Sequence, residues 1–287
     1  MTSQMTQSPS DAQAAEPGAN ATRYFQKKAK ATTGTDQTRA AAIIADALAA
    51  LHGVIEAHEV TYAEYDVLKA WMIQVGEDGE WPLWLDVFIE HAVESVNNDA
   101  RPGSKGTIEG PFYIPGAPQL GLEGTLPMRD GEPGTPFIFR GEVADADGKV
   151  LPAATIELWH CDDEGFYSQF APGLPEWNLR GVFTADESGA FTAHTMMPAP
   201  YQIPHDGATG AMIAAAGWHP WRPAHFHLKV QAPGHELLTT QLYFEADEYL
   251  ESDIAGAVKP ELMLSPVDQA GGGGKEVSYQ FRLCPEA

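Results

Sequence analysis

Residues 137–160 read FIFRGEVADADGKVLPAATIELWH. Apolar and polar residues alternate on both sides of a tight Asp147-Gly148 turn. A period of two sends successive side chains to opposite faces, which predicts half-buried strands. GVFTADESGAFTAHTM (181–196) repeats the pattern around Ser188-Gly189, and HFHLKVQAPG and TTQLYF supply further short strands. The chain is punctuated by 28 glycines and 22 prolines. Many short strands separated by turn residues predict a β-sandwich or barrel.

Toward the N-terminus the period changes. Ile44, Leu48, Leu51 and Ile55 recur at helix spacing behind a Thr35-Asp36 start signal. Thr61 and Glu64 form a T-x-x-E capping box ahead of Tyr65, Leu68, Trp71, Met72 and Val75. Pro82 suits a first helical turn, and Leu85, Ile89, Val93 and Val96 then share one face. Three helices are predicted between 36 and 98. Their apolar faces are expected either to pack on the rest of the chain or to meet a second copy. Residues 1–35, rich in Ser, Thr, Gln, Ala and Gly, are expected to form a flexible tail. The expected class is mainly β with a helical N-terminal part: helical segment 36–103, then β-sandwich 104–287.

The 287 residues carry a formal net charge of −23, which argues against nucleic acid or an anionic membrane as partner. Cys161 and Cys284 are too few for a disulfide framework, so a reducing, cytoplasmic setting is expected. No run of about 18 apolar residues suggests a bilayer span, and the N-terminus has no hydrophobic signal core.

His225 and His227 stand on one face of a strand, with Phe226 on the other. Neutral imidazole is the commonest metal ligand, but two such residues also suit a half-buried polar face. A carboxylate could complete a two-histidine ferrous site. Tyr167 in DDEGFYSQF and Tyr201 in PAPYQIP are further candidates, and each alone reads as a core aromatic. His160, His194, His219 and His235 have no such pairing and read as structural or surface residues.

Taken together, TIEGPFYIPGAP, GEVADADG, IELWH, GFYSQF, PEWNLRG, PAPYQIP, WRPAHFHLKV and TTQLYF resemble the intradiol ring-cleavage dioxygenases. The resemblance is greatest to the catechol 1,2-dioxygenase group of actinobacterial type. It covers residues 107–244, and the helical segment fits the family's linker, through which a homodimer with a bound lipid is expected.

The resemblance implies one Fe(III) per chain on Tyr167, Tyr201, His225 and His227. Phenolate is a hard anionic donor that suits Fe(III) better than Zn(II). It implies that Arg222 orients the diol and stabilises charge on the ring, with Gln241 beside the iron. Leu83, Asp86, Ile108, Pro111, Phe112, Tyr113, Ile254 and Ala255 fall where the family places its substrate walls. The implied reaction opens catechol with O2 to cis,cis-muconate, with Tyr201 as the ligand that leaves. Hydroxyquinol and chlorocatechols are the rival substrates. Outside that activity stand a ferrous extradiol cleaver and a sandwich module without metal.

Overall fold

The computed structural model describes residues 36–286, so the expected N-terminal tail lies outside the described residues. The helical part comprises α1 (Gln37–Ala57), α2 (Tyr62–Glu77), α3 (Trp81–Phe88) and α4 (Glu90–Asn98). Asp36 caps α1 by accepting from the Thr38 amide at 2.9 Å. The capping box at α2 forms: the Glu64 amide donates to Thr61 Oγ1, and the Thr61 amide donates to Glu64 Oε2 at 2.8 Å.

The third predicted helix is two helices, broken at Ile89 with φ −123° and ψ −38°. No proline causes the break. Beyond it the Glu90 carboxylate accepts from the amides of Glu109 and Gly110 at 2.8 and 3.2 Å. The bend thereby ties α4 to the segment running beneath the candidate site.

Of the two arrangements left open for the apolar faces, packing on the rest of the chain is not the one that the predicted face residues adopt. Leu83 and Val87 are buried, whereas Leu85, Ile89, Val93 and Val96 are exposed. Along α1, Ile44, Leu48, Leu51 and Ile55 are exposed as well. One amendment to the sequence reading concerns α1. By length and composition, among the described residues, this one 21-residue helix could cross a membrane. The helix carries the charges of Arg39, Asp46 and Glu56, which interrupt any uniform apolar run.

The β part begins with β1 (Gln119–Gly121) and β2 (Glu123–Thr125). It continues with β3 (Pro136–Asp145), β4 (Thr155–Trp159), β5 (Arg180–Thr184), β6 (Ala190–Met196) and β7 (Tyr201–Gln202). A helix, α5 (Ala208–Ala215), precedes β8 (Trp221–Arg222), β9 (His225–Gln231) and β10 (Leu238–Phe244). The chain closes with β11 (Met263–Leu264), β12 (Val267–Asp268) and β13 (Lys275–Leu283). One sheet has the order β1-β5-β4-β9-β10-β11, the other β12-β13-β3-β6-β2, and β7 pairs with β8.

The two most hairpin-like turns do not close hairpins. Around Gly148 (φ +89°) the chain makes one bridge, Ala144 with Val150, and β4 then joins the other sheet. The Ser188-Gly189 turn likewise carries the chain from β5 in one sheet to β6 in the other. Both turns therefore cross the sandwich. The core between the sheets is aromatic. Phe226 meets Phe137 at 5.5 Å and Phe244 at 5.2 Å, both edge to face. Because Phe226 points inward, its neighbours His225 and His227 emerge on the outer face of the six-stranded sheet. A second apolar cluster covers that face, with Leu83 and Val87 from α3 and Ile213 from α5.

Candidate metal centre

His225 and His227 are both 1% exposed. The ladder sets His227 between Trp159 on β4 and Gln241 on β10, and sets His225 beside Tyr243. Trp159 stacks flat on His227, with 4.8 Å between centroids and 10° between planes. His225 Nδ1 lies 2.7 Å from the Pro223 carbonyl, which can only accept, so the free lone pair is on Nε2. That Nε2 is 3.0 Å from Nε2 of His227, which is 3.1 Å from the Tyr167 hydroxyl. The Tyr201 ring completes the group, 5.5 Å from Tyr167 and 5.7 Å from His225.

The two tyrosines arrive on different supports. Tyr167 rides the loop between β4 and β5. Asp162 braces that loop by accepting from the amides of Glu164 and Phe166 and from Arg129 Nη2, at 2.9–3.1 Å. Gly165 (φ +87°) is needed there, since a Cβ would sit 2.4 Å from the Cβ of Tyr201. Tyr201 stands on β7, directly opposite Arg222 on β8.

Burial, then the neighbouring Arg222 charge, pushes His225 down to about 3. Burial also holds His227 well below its ordinary value. Both imidazoles are therefore neutral, the form that binds metals. Burial pushes Tyr201 up to about 12 even with Arg222 working against it. Burial and the adjacent Tyr201 push Tyr167 well above the ordinary phenol value. Such phenols release their protons only to a strong cation.

Imidazole lone pairs and phenol oxygens thus converge in a dry space, and the donor set fits a hard trivalent ion such as Fe(III). Among the described residues, no group of three His, Cys, Asp or Glu side chains could hold a metal. One departure from the usual pattern is His227 Nδ1, buried without a hydrogen-bond partner among the described residues.

Arg222 is 2% exposed. Its Nε and Nη2 donate to Asp253 at 2.9 and 3.0 Å, and Nη1 lies 3.3 Å from His225 Nε2. Nη2 also donates to Gln241 Oε1 at 2.9 Å, and Gln241 Nε2 donates to the Ile108 carbonyl at 2.9 Å. Gln241 therefore links Arg222 to the wall segment while flanking His227. Asp253 went unnoticed in the sequence. It is one of 40 acidic residues, it lies 31 positions from its partner, and no motif marks it. His160, left as structural, has both ring nitrogens bonded, to the Cys161 carbonyl and to Thr195.

A cleft of about 740 Å³ opens beside the tyrosines, with Tyr167, Tyr201, Phe112, Phe170, Ile203 and Trp221 in its walls. Its lining also includes Asp163, Glu164, His205 and Asp206, and no Lys or Arg. Of the expected walls, Phe112 lines this cleft, stacked on Tyr167 at 4.5 Å. Leu83, Ile108, Tyr113, Ile254 and Ala255 belong instead to the apolar layer packed around both tyrosines. Pro111 precedes Phe112 and is half-buried. Asp86 is half-buried on α3, one turn from Leu83.

A family model described as "Dioxygenase" matches residues 108–285, and one described as "Catechol dioxygenase N terminus" matches residues 37–105. The chain belongs to the intradiol ring-cleaving dioxygenases. That family uses non-haem iron. A chlorocatechol 1,2-dioxygenase of Rhodococcus opacus is 45% identical over 231 residues, spanning 79% of this chain and 90% of the relative. A catechol 1,2-dioxygenase of Acinetobacter baylyi is 36% identical, spanning 79% of this chain and 76% of the relative. The crystal structure of 3-chlorocatechol 1,2-dioxygenase from Rhodococcus opacus 1CP superposes with a TM-score of 0.83. It is 48% identical and covers 88% of this chain and 100% of that one.

Proposed function

We propose that this intradiol dioxygenase cleaves uncharged catechols, chlorocatechols first and catechol next, on one Fe(III) per chain held by Tyr167, Tyr201, His225 and His227. The observation that carries the metal assignment is the buried run of donor atoms from His225 Nε2 to His227 Nε2 at 3.0 Å and on to the Tyr167 hydroxyl at 3.1 Å. Fe(III) there would bind the diol through both oxygens and prepare the ring for attack by dioxygen. Both oxygen atoms enter the muconate, so diol plus O2 balances without an external reductant.

The protein's own part follows from the geometry. Tyr201 is the donor that gives way: it stands on a two-residue strand paired with Arg222 and, like Tyr167, borders the cleft. Its phenolate oxygen then takes a proton from the incoming diol. Tyr167, sandwiched against Phe112 in a braced loop, stays in place. Arg222, held by Asp253, points Nη1 at the His225 side and stabilises negative charge on the ring.

Sequence alone ranked catechol ahead of chlorocatechols. The 45% identity to a chlorocatechol enzyme, against 36% to a catechol enzyme, supports the reverse order. The apolar layer of Leu83, Ile108 and Phe112 suits a ring bearing chlorine. A third hydroxyl would need a partner, and an unmet one costs about 1–3 kcal/mol. Asp86 is the candidate partner for hydroxyquinol. The carboxylates in the cleft lining disfavour a diol bearing its own carboxylate.

The exposed apolar residues Leu48, Leu51 and Ile55 on α1, together with Leu85, Ile89 and Val93, are our proposed homodimer face, with an apolar molecule held against it. Two free cysteines fit a reducing cytoplasm.

The test is kcat/KM for 3- and 4-chlorocatechol, catechol, hydroxyquinol and 3,4-dihydroxybenzoate, with product spectra. Muconates, with a chlorocatechol at the top and the carboxylated diol at the bottom, are expected. A yellow semialdehyde would overturn intradiol cleavage. Hydroxyquinol leading by about tenfold, lost in Asp86→Ala, would overturn the substrate order.

A further inference from the structure

Arg180 is among the largest fully buried side chains, 1% exposed. Its Nε donates to Ser168 Oγ at 2.7 Å, and its Nη2 donates to the Ser168 carbonyl at 3.2 Å. Both partners are neutral. Arg222, the other buried guanidinium near the centre, is matched by the Asp253 carboxylate. Arg180 has no carboxylate within salt-bridge distance among the described residues, and the rings its guanidinium faces are those of Tyr167 and Phe170, the latter at 6.0 Å. The guanidinium carbon lies 5.9 Å from the centroid of the Tyr167 ring. A buried cation without a counter-ion is costly unless a negative charge comes to stand beside it.

The backbone around it is held in an unusual shape. Gln169 (φ +67°), next to Ser168, and Leu179 (φ +56°), next to Arg180, are both non-glycine residues in the left-handed region. Strain of this kind persists only where surrounding contacts over-determine it, and it gathers at functional sites. The Arg180–Ser168 clamp joins these two points across the loop that bears Tyr167.

We propose that Arg180 is the positioning residue that serves as fixed counter-charge to Tyr167, keeping it the permanent anionic donor while Tyr201 is the one that yields. This rests on the proposed iron site, and it explains the division of labour between two otherwise similar tyrosines. Tyr167 has an unmatched cation at its ring. Arg222, the cation acting on both phenols, is already matched by Asp253. Losing the Arg180 charge would leave the Tyr167 donor orbital higher in energy. That moves the tyrosinate-to-iron charge-transfer band to longer wavelength and loosens the metal.

The experiment uses full-length, iron-loaded protein in the Tyr201→Phe background, where the visible band reports Tyr167 alone. Arg180→Gln, Arg180→Lys and Ser168→Ala are compared for band position and for the rate of iron loss to a chelator. Arg180→Gln should shift the band to longer wavelength and speed iron loss by about tenfold to a hundredfold. Arg180→Lys, which keeps the charge, should restore the band. A merely structural clamp would not distinguish Gln from Lys in wavelength. Ser168→Ala keeps the charge but frees its position, so a smaller shift in the same direction is expected, and this variant decides the matter if Arg180→Gln does not fold. An unmoved band with iron loss within twofold of the parent overturns the proposal. A wild-type protein that binds no iron would instead overturn the metal assignment on which it rests.

Discussion

Asp253→Asn removes one negative charge while preserving shape. Asp253 accepts from Arg222 Nε and Nη2 and from the amides of Ala255 and Ala257, at 2.9–3.2 Å. Its side chain is 2% exposed and that of Arg222 is 3% exposed. Breaking a buried pair from one side costs roughly 3–5 kcal/mol. Asn keeps one acceptor oxygen, so about 3 kcal/mol is expected, a fall in Tm of roughly 6–12 °C for a domain of this size. Arg222 would lose its fixed direction, and kcat/KM should drop by about a hundredfold, as when one electrostatic stabiliser is removed. Burial alone would raise the Asp253 carboxyl, but the Arg222 guanidinium and the Ala255 amide hold it below its usual value. A depressed carboxyl stabilises the fold above the unfolded pKa of about 3.9 and loses that contribution as pH falls further. The gap in Tm between wild type and variant should therefore be constant from about pH 5 to 8 and shrink below about pH 4. Differential scanning calorimetry and steady-state kinetics on both proteins measure this. A Tm within 1–2 °C of wild type, about the shift for less than 1 kcal/mol, together with kcat/KM within twofold, would refute the claim that Asp253 holds Arg222.

Gly165→Ala should disturb Tyr201 directly, because the added Cβ would meet the Cβ of Tyr201 at 2.4 Å and adopt a left-handed φ of +87°. Loss of about 1–3 kcal/mol in stability with a shifted visible band is expected, read by calorimetry and absorption. On α1, Leu48→Glu and Leu51→Glu place charges in the exposed apolar stripe. Light scattering should then report a smaller species with the catalytic part still active, whereas an unchanged mass would remove this face from the interface.

The sandwich was legible because period-two alternation survives in strands with one face in the core, as in β3 and β9. The same alternation placed both histidines outward opposite Phe226. The tyrosines were legible through a set of motifs, not through any periodicity of their own. Hidden features were those governed by distant contacts. The break at Ile89 accompanies the reach of Glu90 to residues 109 and 110. The Asp-Gly and Ser-Gly turns resemble hairpins, yet each crosses between sheets, because strand partnership is decided by core packing and not by the turn. Asp253 and Arg180 carry no local signature, and only the fold shows that one buried arginine is matched and the other is not. Most of the expected wall residues came together as an apolar layer, with Phe112 exposed to the cleft. The sequence cannot say which members of such a layer border open space.

The most direct test of the four-residue metal centre is the visible spectrum of the iron-loaded protein, wild type against Tyr167→Phe and Tyr201→Phe. Two tyrosinates on Fe(III) should give a broad charge-transfer band and a red to purple protein, and each substitution should move or weaken that band. An active, iron-replete protein that is colourless, or whose band is untouched by both substitutions, would contradict the assignment.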